Sequence, residues 1–172
     1  MRAKTYGPIN QNAFIVTDID AGIDHWTSVM GVGPFFKFPK IEFVKGDYRG
    51  KSSLPEFDAA IAYSGELMIE LIRPRGPSIF KEFQDEGRKG VHHFAAFADD
   101  MAAAEGELTA GGALRLQGGT LPDGSCVAYF EMGGPEPSIL EIACLQPAAL
   151  GLFAAIKAAA AGWDGSNKLL TF

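Results

Sequence analysis

The chain has 172 residues, 47% hydrophobic and 21% charged, with a formal net charge of -6. This composition belongs to a folded globular protein with a sizeable core and argues against disorder. The acidic balance, with no basic stripe, argues against a nucleic-acid partner.

Residues 1–9 start positive but have no apolar run behind them, and the longest apolar stretches fall short of a bilayer span, so the expectation is a cytoplasmic protein with no membrane partner. Asn10 to Thr17 reads as a first strand. A helix follows from Ile19 to Met30, with Ile19, Ile23, Trp26 and Met30 on its apolar face and Gly31 to Pro34 as the stop. Phe35 to Val44 reads as a second strand, and the polar, glycine-bearing stretch from Lys45 to Pro55 as a loop able to border a site. Phe57 to Tyr63 and Leu67 to Arg73 form a hairpin around Ser64, Gly65 and Glu66. Pro74 to Pro77 breaks the sheet, and a short capped helix runs from Ser78 to Glu86. Then come a strand from Val91 to Ala98, a helix from Met101 to Ala110, and strands near Leu114 to Gln117, Cys126 to Met132 and Ile139 to Leu145. The two cysteines, Cys126 and Cys144, fall in apolar strands and are expected as reduced, packed thiols. An alanine-rich helix from Ala148 to Ala161 ends the chain; Leu150, Phe153, Ile156 and Trp163 are expected to pack on the same domain, with a dimer contact or a lid over the site as the alternatives.

The chain repeats itself. Offset by 82 residues, Gln11 to Asp18 lies over His93 to Asp100, pairing Ala13 with Ala95, Asp18 with Asp100 and Ala21 with Ala103. Each copy reads as a strand, an Asp-capped helix and three strands. One glutamate stands inside an apolar strand near the end of each copy: Glu70 among Leu67 to Ile72, and Glu141 among Ile139 to Leu145. A buried carboxylate is costly unless paired or metal-bound, so two in corresponding places suggest a shared cation. Alternation places Gln11, Glu70, His93 and Glu141 on interior strand faces, with His92 on the opposite side of its strand and His25 as a surface or packing residue. The set of one amide oxygen, one imidazole and two carboxylates suits a divalent ion such as zinc, nickel, cobalt or manganese. Salt bridges from Arg73 or Arg115 to the two glutamates are the bland alternative.

Gly90 to Asp100, Ile69 to Pro74 and Leu140 to Ile142 resemble the vicinal oxygen chelate superfamily, which includes glyoxalase I, methylmalonyl-CoA epimerase, extradiol dioxygenases and bleomycin-resistance proteins. The resemblance covers residues 8 to 146. It implies an α+β fold of two tandem βαβββ modules in a curved, open barrel, here with a C-terminal helix added. The implied domain spans 1–146, with module one about 8–74, a linker helix in 75–90, module two about 91–146 and a helical extension at 147–172. The implied metal ligands are Gln11, Glu70, His93 and Glu141. Their order is similar to the zinc type of glyoxalase I, whereas the epimerases carry His first and Gln second.

The expected function is a metal-dependent isomerase, epimerase or lyase that moves a proton alpha to a metal-polarised carbonyl or thioester. By resemblance, Glu141 is the first choice of base and Glu70 the second. Lys37, Lys40, Arg73 and Arg75 are candidate anchors for an anionic tail. The rival is a non-catalytic metal- or hydrophobic-ligand-binding protein holding its ligand among Phe35, Phe36, Phe38, Phe43 and Phe57. A homodimer is also expected.

Overall fold

The computed structural model describes residues 4–135 and 138–171, so the first three residues of the expected domain lie outside the described residues. In chain order the elements are β1 (Ile9–Ile15), α1 (Ile19–Ser28), β2 (Phe35–Phe38), β3 (Lys45–Tyr48), β4 (Lys51–Ser52), β5 (Phe57–Ser64) and β6 (Leu67–Pro74). After α2 (Ile79–Asp85) come β7 (Val91–Phe97), α3 (Met101–Ala110), β8 (Leu114–Thr120), β9 (Cys126–Glu131), β10 (Ile139–Cys144), α4 (Pro147–Ala161) and β11 (Leu169–Leu170).

The strands form one open sheet in the order β11-β2-β5-β6-β1-β7-β10-β9-β8-β3-β4. Its centre is symmetric. β1 runs parallel to β6, β7 runs parallel to β10, and β1 meets β7 antiparallel. Helices α1 and α3 begin the same way, with Asp18 accepting from the Asp20 and Ala21 amides and Asp100 accepting from the Ala102 and Ala103 amides. These side chains satisfy amides that the first helical turn leaves without partners. The expected two-module α+β fold with a C-terminal helix is therefore the fold observed.

Each of these two helices covers its own half of one sheet face. Ile19 and Ile23 of α1 pack with Phe35, Ala60, Ile69 and Leu71, and Ala104 and Leu108 of α3 with Ala96, Phe130, Leu140 and Ile142. Alternate residues form the other face, where Ala13, Ala59 and Ile72 join Phe57, Phe80 and Tyr129. α4 lies against β5 and buries Ile156 with Phe36, Ile61 and Met68, which is the expected packing on the same domain. Leu150, expected to pack, is exposed, as is Met30 beyond the end of α1.

Two expectations fail between residues 35 and 55. The second strand stops at Phe38, because Pro39 has no N–H to give and Lys40 turns with a φ of 54°. The Lys40 amide donates to Asp58 Oδ1 at 2.9 Å, and the Arg73 and Arg75 Nε groups each donate to Asp58 at 2.7 Å. Burial raises the Asp58 carboxyl, but Arg75, the Lys40 amide and Arg73 outweigh it and hold it at about 2. This knot turns residues 41–44 across the sheet. The expected loop from Lys45 to Pro55 then contains the hairpin β3–β4, and β3 pairs with β8 of the second module. No apolar alternation marks β3; its pairing comes from the free edge that β8 offers. β11, unforeseen at two residues, pairs with β2 at the other edge.

Cys126 and Cys144 are free thiols and direct cross-strand partners in β9 and β10. Burial first, then the neighbouring Cys126, pushes the Cys144 thiol up to about 11.

Candidate metal centre

Four adjacent strands, β6, β1, β7 and β10, each deliver one expected site residue. Ala13 pairs with Glu70 on one side and His93 on the other, and Ala95 pairs with Gln11 and Glu141. Directly paired residues share a sheet face, so each alanine separates two functional side chains, and both alanines are fully buried. A larger residue at either place would occupy the space where those side chains meet. The repeat match of Ala13 with Ala95 thus marks the floor of the site.

Among the described residues, Glu70, His93 and Glu141 offer ligand atoms that all lie within 4.8 Å of one another. His93 Nε2 is 2.9 Å from Glu141 Oε2 and 3.8 Å from Glu70 Oε2. Gln11 joins them, its Nε2 donating to Glu70 Oε2 at 2.7 Å. In this arrangement Gln11 orients a carboxylate; a half-turn of its amide would present the oxygen instead.

The His92 ring sets the tautomer of a neutral His93 ring. His92 Nε2 lies 3.3 Å from the Ile79 carbonyl, which only accepts, so that nitrogen carries the proton. Burial, then His93, lowers the His92 pKa to about 3, which keeps the ring neutral and leaves its Nδ1 an acceptor. His92 Nδ1 is 2.8 Å from His93 Nδ1, so His93 donates there and, when neutral, turns an unprotonated Nε2 toward the glutamates. This corrects the expected placement of His92 on the far side. β7 is irregular here: Ala13 pairs with His93 but Phe14 pairs with Val91, and the extra residue brings the two rings to 5.1 Å between centroids.

This geometry fits a cation. His93 Nε2 and Glu141 Oε2 are buried 2.9 Å apart with no further hydrogen-bond partner, and an ion between them would give each a ligand contact. Two carboxylates at this separation repel by about 3 kcal/mol at an effective dielectric of about 20. Burial, then the Glu141 charge, holds the Glu70 carboxyl well above the usual carboxylate range, and the Gln11 hydrogen bond offsets only part of this. The bland alternative is excluded, because Arg73 is spent on Asp58 and Arg115 on Asp47 and Glu105.

Above this floor is a cavity of about 350 Å³. Phe38, Phe43 and Phe57 line it as expected, whereas Phe35 and Phe36 pack elsewhere. A Cβ at Gly119 would overlap the Phe43 ring, so the glycine lets that ring lie against β8. α4 closes one side with Leu152 and Phe153. The expected anionic-tail anchors are not here. Lys37 pairs with Asp20, Arg73 and Arg75 pair with Asp58, and neither these nor Lys40 lines the cavity. His25 is exposed on α1, as expected of a surface residue.

Tyr129 is the site residue that sequence reasoning missed. It pairs with Glu141 across β9 and β10, lies 5.1 Å from the His93 ring between centroids, and lines the cavity. Burial first, then Glu141 and Glu70, pushes its phenol well above its usual range, so it stays neutral beside Glu141. Counting back from Glu141 through the turn after Met132 would have found it, had the loop length fixed the register.

A family model described as the Glyoxalase/Bleomycin resistance protein/Dioxygenase superfamily matches residues 10–130, a span that includes Gln11, Glu70 and His93 and ends before Glu141. No curated protein matches the chain. Among solved structures, methylmalonyl-CoA epimerase from Mycobacterium tuberculosis is similar with a TM-score of 0.59 at 14% identity, over 88% of this chain and 96% of that one. A hypothetical protein from Bacillus halodurans gives 0.58 at 16% identity, over 79% of this chain and 92% of that one. A variant of Streptomyces coelicolor methylmalonyl-CoA epimerase, solved in complex with 2-nitronate-propionyl-CoA, gives 0.54 at 16% identity, over 80% and 94%. At these identities the likeness is one of fold.

Proposed function

The chain belongs to the glyoxalase/bleomycin resistance/dioxygenase superfamily, and from that premise we propose that it is a metal-dependent isomerase, epimerase or lyase that moves a proton alpha to a carbonyl or thioester. The observation that carries the reading is the buried Nε2 of His93 held 2.9 Å from Glu141 Oε2 and 3.8 Å from Glu70 Oε2 at the floor of an apolar cavity. Glu70, His93 and Glu141 would hold a divalent ion, with Gln11 as the fourth ligand if its amide turns. Zinc, nickel, cobalt and manganese all suit this donor set. When bound, such an ion supplies Lewis-acid polarisation of the substrate carbonyl.

The chain's own residues do the rest. Glu141 takes the proton from the carbon beside that carbonyl, and Glu70 is the second carboxylate able to return it. Tyr129 stands beside Glu141 as its cross-strand partner, and Gln11 fixes Glu70. The aromatic and aliphatic walls exclude water, which strengthens each of these interactions. The cavity's size and apolar walls favour a second reading, a ligand-binding protein without turnover. A homodimer and a cytoplasmic location go with the proposal, to be checked by light scattering and cell fractionation. No helix among the described residues is long and apolar enough to cross a membrane.

The deciding experiment offers hemithioacetals, methyl-branched acyl thioesters and neutral hydroxyketones to the protein in heavy water. Deuterium should enter beside the carbonyl only with metal bound, and Glu141→Gln should slow exchange more than it weakens substrate binding. Metal-independent binding without exchange would favour the ligand-binding reading, and oxygen-dependent cleavage of a catechol ring would overturn the chemistry.

A further inference from the structure

We propose that this site takes an uncharged carbonyl compound with an apolar acyl or aryl tail, and that it is not built for anionic conjugates such as coenzyme A thioesters; this rests on the proton-transfer reading above. The first observation is charge. No Lys or Arg among the described residues lines the cavity, whereas Glu70 and Glu141 lie on its floor and Asp123 at its rim. The candidate basic side chains are tied elsewhere: Lys37 to Asp20, Arg73 and Arg75 to Asp58, and Lys157 of α4 to Glu66. A buried anionic tail would lose its water and meet only like charge.

The second observation is the distribution of polarity along the cavity. Gln11, Glu70, Glu141 and Tyr129 line it together, and Ser125 and Asp123 line it farther along the run into β9, beyond Val127. Between them the walls are apolar, with Phe38, Phe43 and Phe57 from module one facing Phe97, Leu152 and Phe153. A ligand complementary to this shape has one polar head at the floor and a neutral apolar body. The start of α4 also reaches the cavity, and its uncapped Ala148 and Ala149 amides form a helix pole that favours anions, but the Asp123 carboxylate lines the same cavity and opposes it. Asp123 is held in place, accepting from the Ser125 amide at 2.8 Å and hydroxyl at 2.9 Å, while Ser125 Oγ accepts from the Gln146 amide at 2.9 Å. That bond fixes the start of α4 to β9, so the wall that α4 provides is part of the fold.

The test uses α-hydroxyacetophenone with its para-nitro and para-carboxylate derivatives, which share a head; the two substituents match in shape and differ in charge. Calorimetry on the metal-loaded protein should show the para-nitro compound binding at least about tenfold more tightly than the para-carboxylate. Ala149→Trp, placed on the α4 wall, should abolish that binding while metal content is retained. Equal or tighter binding of the para-carboxylate, or no binding of the neutral compounds, overturns the inference. Faster deuterium exchange into methylmalonyl-CoA than into α-hydroxyacetophenone also overturns it, yet leaves the proton-transfer reading standing. Binding of the neutral compounds with no exchange into any substrate does the reverse: the ligand class holds and the reaction falls.

Discussion

Replacing Asp58 with Asn should destabilise the protein and loosen the wall of the cavity, because one buried carboxylate there holds the Lys40 amide and two guanidiniums at once. The carboxyl sits at about 2 instead of 3.8, a displacement worth about 2 kcal/mol at about 1.4 kcal/mol per pH unit. Solvent around the half-exposed arginines makes that an upper value. For a chain of this size it corresponds to a loss of about 4–8 °C in Tm. The sign follows from the lowered pKa: Asp58 contributes its full stabilisation above 3.8, the ordinary value, and loses it as the pH falls through about 2. Thermal melts of wild type and Asp58→Asn should therefore differ most at neutral pH and converge between pH 3.8 and about 2. In the variant, faster amide hydrogen exchange should also reach residues 41–44, which carry Ile41 and Phe43 of the cavity wall. Equal melting temperatures at neutral pH, or a gap that survives unchanged at the acid end, would refute the reasoning.

Glu70→Gln with Glu141→Gln should empty the metal site, and stoichiometric metal in that double variant, measured by elemental analysis, would sink the ligand assignment. His92→Ala should weaken metal binding by about 10–100-fold, since it removes the acceptor that sets the His93 tautomer, and unchanged affinity in a chelator competition would show that the ring pair is only packing. Gln11→Ala should lower metal affinity, whether through a lost ligand or a disordered Glu70, and affinity equal to wild type would remove Gln11 from the site. Ala95→Val should cost about 1–3 kcal/mol in denaturant unfolding and reduce metal affinity as well, because the added methyls fall between Gln11 and Glu141; a stable variant with full affinity would mean that the floor has room to spare.

The two-module α+β fold, the Asp-capped helices and the convergence of Glu70, His93 and Glu141 were legible in the sequence, because local signals carry them. A cap is written in adjacent residues, a strand face in alternation, and a carboxylate inside an apolar run announces a buried charge on its own. The 82-residue offset carried β1 onto β7 and α1 onto α3, but Glu141 follows Glu70 by only 71 positions, since module one spends its extra residues on the segment before β5. The tertiary structure alone decided where that segment goes. The pull of Asp58 on Lys40, the free edge of β8 and the seat that Gly119 leaves for Phe43 are all long-range in the chain. The same holds for Tyr129, which meets Glu141 only through a register set beyond Met132, and for His92, whose ring is brought to His93 by an irregularity that strict alternation has no means to express. Alternation specifies a face with the energy of burial behind it, whereas a bulge, a register or an edge pairing depends on what the neighbouring strand offers, and that neighbour is chosen only when the chain has folded.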